Sequence, residues 1–321
     1  MNTVKALAVG VAALTMSTTV ALADGYPERP IEIVVPYGAG GATDTLARAM
    51  AQRLTAALPN NPNVVVVNTP GGGGTIGLTQ VANADPDGYT LVFTTSSPIA
   101  LQPLYGRTTY TAESFAPVAK VIEIPAAFNV RADSEIQNLD DLVAWVTAHP
   151  GEFTYASTGG NGSGTHIVSE QFAAALGLEM RHIPFEGTAP LTAALMGGQV
   201  MGTMQMPNIH TGGEIRPLIF LTSARASDPV YADVPTSTEL GIPAVTDFFA
   251  GFLAPAGTPA DRVTILSDAI ETILQDPELQ ELFATVDFPI AFANSERFAE
   301  ILTTVTASNR TELLRMGLIT E

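Results

Sequence analysis

The strongest constraint on this chain is an alternation of apolar strands with amphipathic helices in which two strand-to-helix loops are rich in glycine. The first loop, Pro36-Tyr37-Gly38-Ala39-Gly40-Gly41-Ala42-Thr43-Asp44, follows the apolar run Ile31–Val35. The second, Ser157-Thr158-Gly159-Gly160-Asn161-Gly162-Ser163-Gly164-Thr165-His166, follows the strand predicted at 153–156. Alternation of this kind gives α/β folds with largely parallel sheets. A helix N-terminus presents unpaired N–H groups and the positive end of the macrodipole, and glycine lets a ligand come close to them. Two such termini, more than a hundred residues apart, predict two lobes that close on an anion.

The same pattern runs along the chain. A helix is expected over 43–58, where Leu46, Ala47, Met50, Ala51, Leu54 and Leu58 recur at helical spacing, with Thr43 or Asp44 as its N-cap. The β-branched run 64–67 reads as a strand buried on both faces. Glycines 71–74 read as backbone punctuation before a short helix, and Asp85-Pro86-Asp87-Gly88 as a turn into the strand 90–94. Strands are then expected at 126–130, 153–156, 181–184, 200–205, 215–222 and 249–253. Helices lie between them: one capped by Asn138, one after Gly164 and one over 190–196. The tail reads as helical from Thr258-Pro259-Ala260-Asp261, with Pro259 at the first helical position. No short-period repeat or low-complexity linker is present. The expected division is a signal at 1–23, one lobe from 24–125 and 251–321, and a second from 126–250, joined through strands.

Residues 1–23 have the pattern of a secretory signal. Lys5 is the only charge before Asp24, an apolar run covers 6–16, and Ala21-Leu22-Ala23 is a small-residue cleavage site. An exported, periplasmic, soluble protein is therefore expected. The chain has no cysteine, so disulfides, thiol chemistry and cysteine metal sites are excluded. Its formal net charge is −18 with no basic block, which disfavours nucleic acid and anionic membrane surfaces as partners. An anionic ligand would approach against this field, so local amides must outweigh it.

Catalytic motifs find little support. The first loop lacks the Gly-Lys-Ser/Thr of a Walker A sequence, and Thr43 stands where a G-x-G-x-x-G needs glycine. Gly162-Ser163-Gly164 lacks the spacing of a nucleophile elbow. His149, His166, His182 and His210 are too scattered for a helical metal pair, so no metal and no cofactor are expected. The second loop nevertheless holds Ser157, Thr158, Asn161, Ser163 and Thr165, more donors than a structural turn requires. His166 could donate to a carboxylate or simply pack. Ser96, beyond the strand 90–94, is placed either for a ligand or as a turn residue. Trp145 and His149 read as packing and surface.

The chain resembles the Bug-type receptors, the periplasmic solute-binding proteins of tripartite tricarboxylate transporters. The residues that carry this are Tyr26-Pro27-Glu28-Arg29-Pro30-Ile31, Val34-Val35-Pro36-Tyr37, Gly40-Gly41-Ala42-Thr43-Asp44, Gly73-Gly74-Thr75-Ile76-Gly77 and Pro86-Asp87-Gly88-Tyr89-Thr90. They continue in Tyr155-Ala156-Ser157, Asn161-Gly162-Ser163, His182-Ile183-Pro184-Phe185, Gly197-Gly198-Gln199-Val200, Asp233-Val234-Pro235-Thr236 and Ala254-Pro255-Ala256-Gly257-Thr258-Pro259. The resemblance implies a two-lobed type II periplasmic-binding-protein fold with the ligand between the lobes. It implies ligand contacts at Tyr37, Ala42, Thr43, Asp44 and Ser96 in the first lobe. In the second lobe the implied contacts are Ser157, Thr158, Asn161, Ser163, Thr165, His166, Phe185 and Thr188, with Gln205 near the cleft.

Three departures from the family pattern stand out. Glu186 occupies a usually basic position, and Met204-Gln205-Met206 replaces the common Phe-Asp-Asn. The loop from Ser157 to Asn161 is one residue longer than usual. If Met204 and Met206 point inward, they suit a ligand with an apolar middle. The expected function is capture of a small organic carboxylate, whether di-, tri- or aromatic, for the membrane subunits of such a transporter, by a monomer and without catalysis. The alternatives are a receptor reporting to a membrane histidine kinase and, more remotely, a secreted hydrolase of small esters using Ser163 and His166.

Overall fold

The computed structural model describes residues 25–158, 161–185, 188–205, 213–222, 225, 229–242, 248–285 and 288–320. The expected signal, Gly159, Gly160, Glu186, Met206 and His210 lie outside the described residues. Two separate sheets organise the rest. In the first, β1 (Ile31–Val35), β2 (Val64–Asn68) and β3 (Thr90–Thr95) are parallel, in spatial order β2-β1-β3. Next to β3 runs β10 (Phe249–Pro255), antiparallel to it and to β4 (Phe115–Glu123), with β11 (Ile290–Ala293) at the far edge. In the second sheet β7 (Arg181–Phe185), β6 (Thr154–Thr158) and β8 (Gly202–Gln205) are parallel in that order. They are followed by β5 (Ala127–Arg131), antiparallel to β8, and β9 (Ile215–Phe220), antiparallel to β5.

The two arrangements match strand for strand: β2-β1-β3-β10-β4 corresponds to β7-β6-β8-β5-β9. The chain leaves the first sheet at the end of β4 and enters the second at β5. It has returned to the first by β10. This is the expected α/β, two-lobed fold.

Helices cover the sheets. They are α1 (Ala42–Ala57), α2 (Thr75–Ala82), α3 (Ser96–Ala100), α4 (Leu139–Ala148), α5 (Gly164–Leu176), α6 (Thr188–Met196), α7 (Ala260–Ile273), α8 (Pro277–Thr285) and α9 (Ser295–Arg315). Ile33 and Phe93 pack with Leu46, Met50 and Leu54 of α1 on one face of the first sheet. Val34 and Val92 pack with Phe298 of α9 on the other, so the middle of this sheet is buried on both faces. The core of the second lobe is built on Phe128, Phe153 and Phe172, with the rings of Phe128 and Phe172 stacked at 5.1 Å. Asn138 caps α4 as expected, its Oδ1 accepting from the Asp141 N–H at 2.9 Å.

Several expectations need correction. Strand β2 is the edge of its sheet, with Val65 and Val67 exposed, because only β1 flanks it. A β-branched run reports β propensity and does not say how many neighbours the strand has. The N-cap of α1 is Gly41, with neither Thr43 nor Asp44 in that role. Pro259 is the N-cap of α7, one position before the first helical residue. Strand β4 was hidden by Pro117 and Lys120. The proline is tolerated opposite Leu253, where the β10 register shifts. The tail is also not wholly helical, since β11 separates α8 from α9.

Candidate functional site

The loops after β1, β2 and β3 leave the carboxyl ends of parallel strands. The strand order reverses between β1 and β3, which is where open α/β sheets place their ligands. At that point the Tyr37 hydroxyl lies 2.5 Å from Thr95 Oγ1. Glycines 71–74 all have positive φ, at 127°, 58°, 63° and 100°. A Cβ on Gly74 would lie 2.7 Å from Pro98 and 3.6 Å from the Tyr37 ring. These glycines therefore let the β2–α2 loop close onto α3 and Tyr37, which is more than punctuation.

Asp44 works from beneath the first loop. Its carboxylate accepts the Gly40 N–H at 2.8 Å, Arg48 Nε at 3.1 Å and Asn68 Nδ2 at 2.9 Å, and the residue is buried. Asn68 Nδ2 also donates to the Tyr37 carbonyl at 3.1 Å. Above this network residues 38–42 are exposed, and α1 has no side-chain cap. Its first-turn N–H groups, those of Ala42 and Thr43 among them, are the open donors of the first lobe.

Burial alone would raise the Asp44 pKa, but the bonds from Arg48, Gly40 and Asn68 outweigh it and hold the carboxyl below its usual range. A depressed carboxylate stabilises the fold fully above its unfolded pKa, and that contribution fades as pH falls through the lower folded value. Asp44→Asn is expected to cost about 1–3 kcal/mol at pH 7. Melting temperatures of the two proteins should converge as pH drops below about 4. A gap that stays constant from pH 7 to pH 3 would show that the charge plays no part.

In the second lobe the hydroxyls mostly brace their own loop. Ser157 is fully buried, with Oγ 2.7 Å from His182 Nε2. Ser163 caps α5, its Oγ accepting from the His166 N–H, and Thr165 Oγ1 donates to the Thr158 carbonyl at 2.9 Å. The His166 Nδ1 accepts the Gly162 N–H at 2.9 Å. Its ring stacks on His182, with centroids 3.6 Å apart and planes 12° apart. Burial lowers the pKa of both rings. For His182 the neighbouring His166 adds to this, and the value falls to about 4. Both imidazoles are therefore neutral near pH 7. Asn161 is exposed, and Thr158 and the start of α5 are half-buried.

Gln205 ends β8, the strand beside β6 at the reversal point of the second sheet. Its side chain is buried and its Nε2 has no hydrogen-bond partner among the described residues. Met204 points the other way, into the core with Phe128 and Phe172, so it cannot supply apolar cleft surface. Phe185 packs against Leu191 and Leu195 beneath α6, and Thr188 is exposed at the start of that helix. Ser96 is buried where the lobes meet, in a crevice shared with Gly164, Phe248 and Asn309. The crevice holds about 10 Å³, room for no more than one water.

Residues that sequence reasoning did not single out for the site complete this picture. His182 was visible only as part of a motif. Tyr105, Glu170 and Arg315 carried no local signal, because their partners lie far along the chain. The Tyr105 hydroxyl donates to the Gly162 carbonyl, and Arg315 pairs with Glu170 at 2.9 Å. Trp145 packs edge-on against Phe153 and carries the exposed His149 on its ring. Among the described residues no group of three His, Asp or Glu could hold a metal ion, and no helix is long and apolar enough to cross a membrane.

The model of the tripartite tricarboxylate transporter family receptor matches residues 46–315. Protein BugT of Bordetella pertussis is 35% identical over 271 residues, covering 82% of this chain and 81% of its own length. A crystal structure of a ligand-free TctC solute-binding protein from Polaromonas superposes with a TM-score of 0.81 at 31% identity, covering 90% of this chain and 99% of that one. R. palustris Rpa4515, solved with adipate, gives a TM-score of 0.69 at 27% identity, covering 91% and 98%.

Proposed function

The chain belongs to the tripartite tricarboxylate transporter receptor family, a family of periplasmic solute-binding proteins, and we propose that it captures a small organic dicarboxylate between its lobes. The lobes are taken as 24–125 with 251–321, and 126–250. The observation that carries this reading is the repetition of one device. A strand-to-helix loop stands at the reversal point of each sheet, after β1 and after β6. Two helix N-termini of this kind, those of α1 and α5, suit two carboxylates, one at each. Gln205 Nε2, buried and without a partner among the described residues, is a donor that a bound oxygen would satisfy. The adipate in R. palustris Rpa4515 is a ligand of this kind.

On this reading no bond is made or broken. Ser163 Oγ faces its own helix, and its only imidazole neighbour in sequence, His166, is engaged with Gly162. Ser157 and His182 lie at the distance of a nucleophile and its base, but the serine is fully buried and the imidazole is a weak base. The closed receptor, acting as a monomer, would deliver its ligand to the membrane subunits of the transporter.

A thermal-shift panel on ligand-stripped protein tests the class, with adipate and shorter dicarboxylates set against their diamides. A ligand at a hundred times its Kd stabilises the fold by about 2.7 kcal/mol. Shifts with diacids and none with diamides are expected, and silence from every acid would overturn the reading. Gln205→Leu adds a sharper expectation. It removes a buried unpaired amide, so the ligand-free protein should melt higher while adipate affinity falls about tenfold.

A further inference from the structure

We propose that Arg315, Glu170 and His166 form a positioning relay through which the first lobe sets the ligand loop of the second. The proposal rests on reading Thr158 and residues 161–165 as ligand-binding. Its geometry stands independently of that.

Helix α9 is part of the first lobe, where Phe298 packs against Phe249 with ring centroids 5.2 Å apart. Its last turn reaches across to α5. Arg315 Nη2 donates to Glu170 Oε2 at 2.9 Å and to Glu312 Oε1 at 2.5 Å. The other Glu170 oxygen accepts the Tyr155 hydroxyl at 2.6 Å and lies 4.0 Å from His166 Nε2. Because Nδ1 of His166 accepts the Gly162 N–H, the ring proton must sit on Nε2, facing Glu170. Tyr105, also of the first lobe, holds the Gly162 carbonyl. Gly162 is therefore gripped at both its N–H and its C=O. Leu101, Ile167 and Leu313, with Met316 and Ile319 beside them, form an apolar cluster at this junction.

The charged and titratable groups around His166 come from four elements. They are Glu170 on α5, Glu312 and Arg315 on α9, His182 on β7 and, through Glu170, Tyr155 on β6. Burial opposes the imidazolium most, and Arg315 adds to it, while the two carboxylates favour it. Protonation at Nδ1 turns an acceptor into a donor aimed at another donor, and the grip on Gly162 is lost.

The test uses the full chain with ¹⁵N-labelled histidine and backbone. It reads the His166 tautomer, its titration midpoint and the exchange protection of the Gly162 amide. We expect the Nε2–H tautomer at pH 7. Arg315→Gln should raise the midpoint and Glu170→Gln should lower it, a pair of opposite shifts that mere destabilisation would not produce. Gly162 protection should fall about tenfold as His166 titrates, the factor for one ordinary hydrogen bond. His166→Asn, which keeps an acceptor near the Nδ1 position, should retain that protection, and His166→Leu should lose it. An Nδ1–H tautomer, midpoints moving together, or protection indifferent to His166 would each overturn the relay. Adipate titration of the same proteins separates the two readings. Failure of wild-type to bind adipate counts against the carboxylate reading, while the resonance data still decide the relay. Weaker adipate binding by Arg315→Gln at unchanged melting temperature supports it.

Discussion

Gly162→Ala is expected to lower adipate affinity by roughly 30-fold and stability by about 2 kcal/mol. Two costs combine at this residue. Its φ is +78°, a left-handed conformation that costs a residue with a Cβ about 1 kcal/mol. The added Cβ would also fall 2.1 Å from the Tyr105 hydroxyl and 3.1 Å from Leu318 Cδ1, so Tyr105 must leave the Gly162 carbonyl it holds. Losing that hydrogen bond costs about another 1 kcal/mol. Both act where the second loop enters α5, so the amides proposed to hold a carboxylate move with them. Calorimetric titration with adipate and a melting curve measure the two effects. A second substitution separates them. Tyr105→Phe should weaken the wild-type protein but harm the Gly162→Ala background far less, because the displaced hydroxyl is already gone. Full adipate affinity in Gly162→Ala would remove this loop from the site.

Gly251→Ala is expected to cost about 3 kcal/mol, for a different reason. Gly251 lies in β10, where a Cβ would sit 2.7 Å from the Ala119 carbonyl oxygen and 2.8 Å from the Phe298 ring. The oxygen belongs to the backbone of the neighbouring strand and cannot withdraw without breaking the ladder. Phe298 can move only by lifting α9 off the sheet. In a chain of this size the melting temperature should fall by roughly 5 °C. Phe298→Leu should recover part of the loss in the alanine background while destabilising the parent. A fall of less than 2 °C, or no rescue, would show that the sheet and helix yield more easily than this packing implies.

Both glycines were visible in the sequence, but only one looked important. Gly162 stood in a cluster after a strand, a pattern with a direct physical meaning at a helix start. Gly251 stood inside an apolar run and carried no mark of the ring lying against it. The hydroxyls of the second loop have partners that no local pattern shows. Ser157, Ser163 and Thr165 read as ligand donors because their type and number exceed the needs of a turn. Their partners proved to be His182, the His166 N–H and the Thr158 carbonyl. One of these lies 25 residues away, beyond any local pattern. Asp44 is similar, since Asn68 and Arg48 meet its carboxylate only after β1, β2 and α1 have packed.

What the sequence determined by itself was whatever depends on a residue and its near neighbours in the chain. That includes the alternation of strands and helices, most of their approximate positions, the two glycine loops at helix starts, the Asn138 cap and the family motifs. These follow from periodicity, propensity and turn chemistry, which act over a few residues. The tertiary structure alone decided lateral order and partnership. It placed β2 at an edge, turned Met204 into the core of the second lobe and left the Gln205 amide without a partner among the described residues. It also brought Arg315 of the last helix to Glu170. The reason is geometric. Sheet neighbours and buried polar partners are drawn from segments tens to hundreds of residues apart, and no local pattern records which segments will meet.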